Sequence, residues 1–179
     1  MVAPELSADS VIIISIHERM QKMIKIMFVC HGNICRSPMA EFVMKDIVKK
    51  AGQENDFYIA SSATSNEETG NPVHYGTRNK LSEYGISTAG KTAVKFKPSD
   101  YDEYDYIICM DSYNVRNLLK ITSGDPESKI TKLLDYADGG DIADPWYTGN
   151  FDITYNDILK GCRALSEKIR RSHNQCNSL

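Results

Sequence analysis

The 179-residue sequence predicts an α/β protein with a parallel sheet. From Ile24 onward, short β-rich runs alternate with helix-type patterns, which is the signature of strand–helix–strand units. The sequence contains no internal repeats and no low-complexity linkers. Its length is enough for one sizeable hydrophobic core but not for two full domains, so we expect a single domain.

The first predicted strand and helix are adjacent in the chain. The strand covers 24–29, and a helix should run from about Pro38 to Lys50, because proline suits the first helical turn and Gly52 supplies a stop. Apolar residues at three- and four-residue spacing predict its buried face. They are Ala40, Val43, Ile47 and Ala51.

The later elements continue the alternation. They are a strand at 57–60, a helix at 72–84, a short strand at 91–94, a strand at 106–110, a helix at 112–119, a strand at 130–133 and a helix at 154–170. Asp111 and Ser112 provide a helix cap. One face of the last helix is apolar through Ile158, Cys162, Leu165 and Ile169.

The chain ends and one long loop lie outside this alternation. Residues 1–22 show no clear period, and we expect a disordered tail, a short helix outside the core or an adventitious start. The predicted domain spans 23–172, followed by a tail at 173–179. The glycine-containing segment 138–151 is a long loop, which indicates a function.

Composition and charge exclude several classes of partner. The net charge of −3 gives no global basic field, so we expect neither a nucleic-acid nor a membrane partner, and any anion site must be local. No apolar run reaches the length of a membrane span. The five cysteines show no zinc-type spacing, so we expect a cytoplasmic protein with no metal and no cofactor.

The residues after the first strand predict an anion-binding loop. Backbone N–H groups and the positive end of the helix dipole meet at such a strand-to-helix turn and attract a tetrahedral oxyanion. Gly32 permits close backbone approach, Asn33 tolerates positive φ, and Arg36 can bind two phosphate oxygens. The predicted loop consists of Cys30, His31, Gly32, Asn33, Ile34, Cys35, Arg36 and Ser37.

Cys30 is the predicted nucleophile of this loop. The amides and Arg36 favour the ionised form of its sulfur, and Ser37 can stabilise that sulfur as a leaving group. A cysteine after a strand is more often a small buried hydrophobe. Here, however, cysteine, glycine, asparagine, arginine and serine coincide at one strand–helix junction, which favours covalent catalysis without a metal.

Asp144 is the best candidate for the proton donor that an ester leaving group needs. Pro145 stiffens the same segment, and the aromatic rings of Trp146 and Tyr147 can form the walls of a slot for a flat substrate ring. Viewed alone, the segment would be an ordinary turn. Together with the Cys30 loop, it predicts an acid–base residue.

The motifs CHGNICRSP at 30–38 and DPWY at 144–147 resemble the low-molecular-weight protein tyrosine phosphatases, over about 24–170. The resemblance implies a three-layer α/β fold, with a four-stranded parallel sheet of order 2-1-3-4 and helices on both faces. It implies Cys30 as nucleophile, Arg36 as phosphate clamp and Asp144 as general acid, then base. The loop supports would be Asn33, Ser37 and Ser61, with the side chains of Asn33 and Ser61 in contact.

The implied reaction is hydrolysis of phosphotyrosine in proteins and of small aryl phosphates, with inorganic phosphate and other oxyanions as inhibitors. Three positions depart from the family pattern. Gly90 stands near the place of a common histidine, which leaves open how the loop is supported there. Glu67 replaces an apolar or aromatic rim residue of the substrate cleft, and His31 either tunes the nucleophile or faces solvent.

Three alternatives compete with hydrolysis of phosphotyrosine. Protein arginine phosphatases look alike but carry threonine at the position of Ile34, so isoleucine favours tyrosine. Arsenate reductases need two further cysteines near the loop, about half a dozen residues apart, and the later cysteines are spaced too widely. A phosphate-binding or redox-sensing module would not need Asp144. Cys35 lies close enough in sequence to Cys30 to suggest a reversible disulfide under peroxide.

Overall fold

The computed structural model describes residues 23–176, with side chains described to residue 172. Four parallel strands form one sheet of order β2-β1-β3-β4, which confirms the α/β class and the strand order. The strands are β1 (Ile24–Cys30), β2 (Phe57–Ala63), β3 (Tyr106–Cys109) and β4 (Ile130–Lys132). The predicted extension 1–22 and the last three residues of the predicted tail lie outside the described residues.

Six α-helices accompany these strands in the described part of the chain. They are α1 (Arg36–Lys50), α2 (Tyr75–Ser82), α3 (Asp100–Glu103), α4 (Ser112–Thr122), α5 (Pro145–Thr148) and α6 (Phe151–Cys176). Short 3-10 turns occupy Glu54–Asp56 and Leu133–Tyr136. No helix within 23–176 is both long and apolar enough to cross a lipid bilayer.

Strand β1 separates two hydrophobic cores, because successive side chains of a strand point to opposite faces of a sheet. Ile26 and Phe28 pack in the core that contains α1 and α6. Met27 and Val29 pack in a second core, with residues of α3 and α4. The sheet is therefore covered on both faces, and Cys30 lies at the end of a strand with little freedom to move.

Helix α6 closes the first core with the apolar face that its spacing predicts. Ile158, Cys162, Leu165 and Ile169 are all at most 2% exposed. The helix is longer than expected, since it begins at Phe151 and continues to Cys176. Of the predicted buried face of α1, Ala40 and Val43 are buried, Ile47 is half-buried and Ala51 is exposed. Ala51 was wrongly placed because it is the C-cap of α1 and already leaves the helix.

Two other predictions need correction. The helix expected at 72–84 covers only Tyr75–Ser82, because Pro72 forms an isolated bridge with Thr92. The short strand expected at 91–94 does not join the sheet. Thr92 makes only the single bridge to Pro72, and the next residue after the segment, Lys95, makes a single bridge to Ala63 at the end of β2, so no regular strand forms. The strand predicted at 57–60 continues to Ala63, and the helix predicted at 112–119 continues to Thr122.

Candidate active site

The loop 30–37, named here the Cys30 loop, joins β1 to α1 at the carboxyl edge of the sheet. Cys30 is the last residue of β1 and is buried. Cys35 occupies the N-cap of α1, and no side chain among the described residues caps that first turn. The first backbone N–H groups of a helix lack intrahelical acceptors. The loop therefore offers them to an anion.

Two hydrogen-bonding groups converge on the sulfur of Cys30. The backbone N–H of Asn33 donates to Sγ over 3.3 Å, and the hydroxyl of Ser37 lies 3.0 Å from it. The Ser37 hydroxyl is also within 3.3 Å of the carbonyl of Ser62, so its single proton has two possible acceptors.

Asn33 organises the loop from within and is fully buried. Its φ of 58° places it in the left-handed region, as its residue type allowed. Its side-chain Nδ2 donates to Ser37 Oγ and to Ser61 Oγ, each over 2.8 Å, so the predicted contact with Ser61 is present. The backbone N–H of Val94 donates to Asn33 Oδ1 over 3.0 Å, which uses the remaining end of the amide.

Arg36 is held by two carboxylates and a carbonyl. Its Nη1 donates to Asp111 Oδ2 over 2.5 Å and to the carbonyl of Ile142 over 3.0 Å, while Nη2 donates to Asp144 Oδ2 over 2.7 Å. Burial alone would lower the pKa of Arg36, but the neighbouring Cys30, Asp144 and Asp111 raise it. The guanidinium therefore remains charged beside the loop.

Asp111 is a site residue that sequence reasoning assigned only to a helix cap. It does cap α4, because Oδ1 accepts from the backbone N–H of Asn114 over 2.6 Å. The other oxygen holds Arg36. A polar residue directly after a buried strand was the only available signal, and Asp111 lies 75 positions from its partner in the chain.

Asp144 caps the short helix α5. Its Oδ1 accepts from the backbone N–H of Trp146 over 3.1 Å, while Oδ2 accepts from Arg36. The loop that the sequence predicted at 138–151 therefore contains one helical turn, for which Pro145 supplies the first residue. Both carboxylate oxygens of Asp144 therefore accept hydrogen bonds.

A cleft of about 160 Å³ opens above the Cys30 loop. Trp146 and Tyr147, whose rings are exposed, line this cleft together with Glu67. His31 also lines it, and its Nε2 lies 3.1 Å from Glu67 Oε2, so it does not simply face solvent. Glu68, which the sequence did not single out, also lines the cleft.

Behind the aromatic side of the cleft lies a stack of rings. The ring of His74 is parallel to that of Phe151 at 5.4 Å and meets the edge of Trp146 at 5.8 Å. His74 also caps α2, since its Nδ1 accepts from the N–H of Gly76 over 3.1 Å. Burial and the nearby Arg78 lower the pKa of His74, which keeps that nitrogen free to accept. A Cβ at Gly76 would lie 2.4 Å from the Phe151 ring.

The four cysteines whose side chains the structure describes are free thiols, and two of them, Cys30 and Cys35, share the loop. Burial raises the pKa of Cys35 to about 12, and the proximity of Cys30 and Asp144 adds to the shift. Cys109 and Cys162 are buried elsewhere in the core. Within the described residues, no group of three or more His, Cys, Asp or Glu side chains could hold a metal ion.

The fold and the family comparison together define a protein phosphatase. The chain belongs to the low molecular weight phosphotyrosine protein phosphatase family, whose sequence model matches residues 25–175. It is thus a hydrolase and a low-molecular-weight protein tyrosine phosphatase, as the two motifs predicted.

Similarity to individual proteins extends over most of the chain. The low-molecular-weight protein-tyrosine-phosphatase YfkJ of Bacillus subtilis is 41% identical over 152 residues, which cover 83% of this chain and 97% of YfkJ. The crystal structure of YfkJ matches with a TM-score of 0.82, over 86% of this chain and 98% of that one. The phosphatase SP-PTP of Streptococcus pyogenes is 44% identical, with a TM-score of 0.74, over 82% and 93%.

A third structure bears on the choice of substrate. The Drosophila arginine phosphatase DARP is 28% identical to this chain and matches with a TM-score of 0.75, over 82% of this chain and 98% of that one. The same fold therefore carries a protein named for a different phosphoamino acid. The fold alone does not choose between the two substrates.

Proposed function

We propose that this phosphatase hydrolyses phosphotyrosine through a phosphocysteine intermediate on Cys30, with Arg36 as phosphate clamp and Asp144 as general acid and base. The observation that carries the proposal is the placement of the Cys30 sulfur beneath the Asn33 N–H and the Ser37 hydroxyl, at the base of a cleft that Asp144 also lines. The residues proposed as nucleophile, phosphate clamp and proton donor therefore all line one cleft, which supports the proposal.

In the first step the Cys30 thiolate attacks phosphorus, and the bond between phosphorus and the tyrosine oxygen breaks. The phenolate takes a proton from Asp144, and the phosphoryl group remains on sulfur. In the second step Asp144 accepts a proton from water as the water oxygen attacks phosphorus. The sulfur–phosphorus bond breaks, inorganic phosphate forms, and the Ser37 hydroxyl stabilises the departing thiolate.

Arg36 must exchange partners when phosphate binds. Its Nη2 is paired with Asp144 and its Nη1 with Asp111. A phosphoryl group in the loop competes for the Nη2 donors, whereas the bond to Asp111 keeps the guanidinium in the site. This exchange releases Oδ2 of Asp144, which can then carry the proton for the leaving group.

The cleft favours an aryl phosphate. Trp146 and Tyr147 offer ring surface to the cleft, and Ile34 of the Cys30 loop adds apolar surface to its lining. We propose phosphotyrosine-containing proteins as substrates and inorganic phosphate and other oxyanions as competitive inhibitors. A free Cys30 thiol is required, so we also propose a reducing, cytoplasmic setting.

The nucleophile is tested with Cys30→Ser. We expect inorganic phosphate, measured by calorimetry, still to bind this variant, because the loop donors and Arg36 remain. Hydrolysis of phosphotyrosine should fall to background, because a serine hydroxyl is a far weaker nucleophile than a thiolate. Unchanged turnover would contradict the proposed mechanism.

The acid is tested with Asp144→Asn and a series of aryl phosphates. Esters with poor leaving groups should slow about 10²- to 10⁴-fold, whereas activated esters should slow much less, because only poor leaving groups need the proton. Equal losses across the series would assign the acid to another residue. The exposed Asp56→Asn change is a matched control.

The substrate class is tested by comparing kcat/KM on phosphotyrosine, phosphoserine, phosphoarginine and arsenate, with a chelator present. We expect phosphotyrosine to be preferred. A preference for phosphoarginine would favour the arginine phosphatase alternative, and threonine in place of Ile34 should shift the ratio toward phosphoarginine. Loss of activity on adding the chelator would contradict a metal-free mechanism.

A further inference from the structure

We propose that Lys91 is a positioning residue that fixes the Cys30 loop through Glu41 and Ser61. The inference rests on the proposed function and deepens it. It names a residue that supports the Cys30 loop in the region where Gly90 stands near the place of the family's common histidine. Lys91 follows Gly90 directly, and its side chain is only 14% exposed. A lysine buried to this extent requires compensating partners.

The partners of Lys91 lie beneath the loop. Its Nζ donates to the carbonyl of Ser61 over 2.8 Å and lies 3.2 Å from Glu41 Oε2. The side chain of Glu41 is 5% exposed, so its carboxylate is almost fully removed from water. Lys91 supplies positive charge to this buried carboxylate and also fixes the backbone of the residue that the carboxylate contacts.

A chain of hydrogen bonds with a fixed donor direction connects the Lys91–Glu41 ion pair to the Cys30 loop. Ser61 Oγ donates its only proton to Glu41 Oε2 over 2.5 Å, because a carboxylate can only accept. The Ser61 oxygen is then an acceptor for Asn33 Nδ2. Were Glu41 unable to accept that proton, the Ser61 hydroxyl would have no fixed direction.

Asn33 transmits this order to the nucleophile. Its side chain is anchored at Ser61 and Ser37, and its backbone N–H donates to the Cys30 sulfur. Its left-handed backbone conformation is held by these anchors. Lys91 therefore acts on the sulfur without touching substrate, through Glu41, Ser61 and Asn33 in turn.

A second lysine contacts the same carboxylate from the other side and shows why Lys91 is distinct. Lys45 lies 2.5 Å from Glu41 Oε1, on the oxygen that does not accept from Ser61. Its side chain is 44% exposed, so water screens its charge. Of the two lysines, Lys91 is the one bonded to Ser61.

The test replaces Lys91 by Met in the full chain, which keeps an unbranched side chain of similar size but removes the charge and the donors. We expect kcat/KM on an aryl phosphate to fall by about 10-fold or more, the scale of one lost charged hydrogen bond. The dissociation constant of inorganic phosphate, measured by calorimetry, should rise by a comparable factor. Lys91→Arg keeps the charge and the donors, so its kcat/KM and its phosphate dissociation constant should lie within about 3-fold of those of the unchanged chain.

Two controls separate positioning from simple loss of stability. Lys50→Met removes an exposed lysine of α1 that pairs with Asp46, and both constants should stay unchanged. Measurements are made well below the melting temperature of each variant, where a merely destabilised protein would bind phosphate normally. Unchanged kcat/KM and unchanged phosphate binding in Lys91→Met would overturn the proposal.

A double-mutant cycle tests the route. If Lys91 acts through Ser61, the losses in Lys91→Met and Ser61→Ala should be strongly non-additive, whereas additive losses would overturn the route. If Lys91→Met does not fold, Lys91→Gln, which keeps donors without charge, takes its place in the same measurements. Phosphate binding does not require turnover, so it tests Lys91 even if the proposed hydrolysis were to fail.

Discussion

Arg36 shows how one side chain depends on residues far away in the sequence. Its partners Asp111, Ile142 and Asp144 come from two other segments of the chain. The charge of the guanidinium is needed by phosphate, and a buried charge must also be paired within the protein. The two carboxylates serve that second need, and one of them is the proposed acid.

Cys35 leads to a prediction about oxidation. Peroxide should take two electrons from the Cys30 sulfur to give a sulfenic acid and water, and the Cys35 thiolate should then displace hydroxide to form a disulfide. Because the pKa of Cys35 is raised to about 12, the thiolate fraction grows as pH rises. Disulfide closure should therefore accelerate about tenfold per pH unit between pH 7 and 9.

Quenched samples analysed by mass spectrometry measure this closure as the loss of two hydrogens from the peptide pair. Cys109→Ser is the control, because that buried thiol lies outside the Cys30 loop. Only overoxidised Cys30, never a bridged form, would contradict the prediction. A closure rate that does not change with pH would mean that Cys35 is not the attacking group.

The geometry of the Cys30 loop could be predicted from residues close together in the sequence, whereas the residues that support the loop from distant segments gave no such local signal. Cys30, Asn33, Arg36 and Ser37 lie within eight positions, so their shared geometry follows from one strand-to-helix turn. Glu41 and Lys91 meet through side chains 50 positions apart. A helical glutamate and an isolated lysine usually face water, and only the packed structure shows Glu41 buried and Lys91 partly buried beside it.

At the scale of secondary-structure elements, the segment 138–151, which carries Asp144, is held by more hydrogen bonds than its prediction as a long loop suggested. The N–H of Ile142 donates to the carbonyl of Met110 over 2.9 Å, and Ile142 is buried. Just before it, Asp141 Oδ1 accepts from the N–H and hydroxyl of Ser112 and from Lys132 Nζ. The segment is thus tied to the start of α4 and the end of β4.

The ties of Asp141 predict a pH-dependent contribution to stability. Burial alone would raise the pKa of Asp141, but Lys132 and Ser112 outweigh it and lower the pKa. A lowered pKa in the folded state contributes stability above the unfolded value near 4, and the contribution is lost as pH falls through the folded value. Asp141→Asn should therefore cost up to about 1 kcal/mol at pH 7, since the group is largely exposed, and much less near pH 2.5.

Urea unfolding at the two pH values measures this difference. Asp56→Asn is the control, because its exposed side chain makes no ion pair or hydrogen bond with the described residues. Equal losses of unfolding free energy at pH 7 and pH 2.5 would show that the carboxylate charge is not responsible.

Long periodic elements were predicted better than short ones. The spacing of apolar residues located α1 and the buried face of α6, because many turns repeat the same signal. The region 72–94 was less well predicted, since isolated bridges involving Pro72, Thr92 and Lys95 replace a regular strand. Single bridges of this kind have no period that a sequence could reveal.

For the molecule as a whole, alternation of strands and helices gave the α/β class, but the strand order came from family resemblance. Periodicity says which residues are buried, and it does not say which strands are neighbours. Strand β1 lies between β2 and β3 and serves both cores. This position explains why its residues read as one continuous apolar run after Lys25.

The predicted domain boundary gives a test at this scale. We expect a chain beginning at Met23 to fold and to hydrolyse phosphotyrosine with the same kcat/KM as the full chain, because the four strands and the described residues that line the cleft all lie from Ile24 onward. The measurement compares kcat/KM and melting temperature of the two chains. A large loss of either would give residues 1–22 a role that the sequence did not predict.

The ring stack behind the cleft also has a consequence for how this protein can vary. Gly76 and the Phe151 side chain share a space that cannot hold one more carbon, and the same ring stacks on His74, which in turn touches Trp146. Alanine at position 76 would push on Phe151 and, through it, on the indole at the mouth of the cleft. Recognition of the substrate ring could thus be altered by a methyl group on a residue that never meets the substrate.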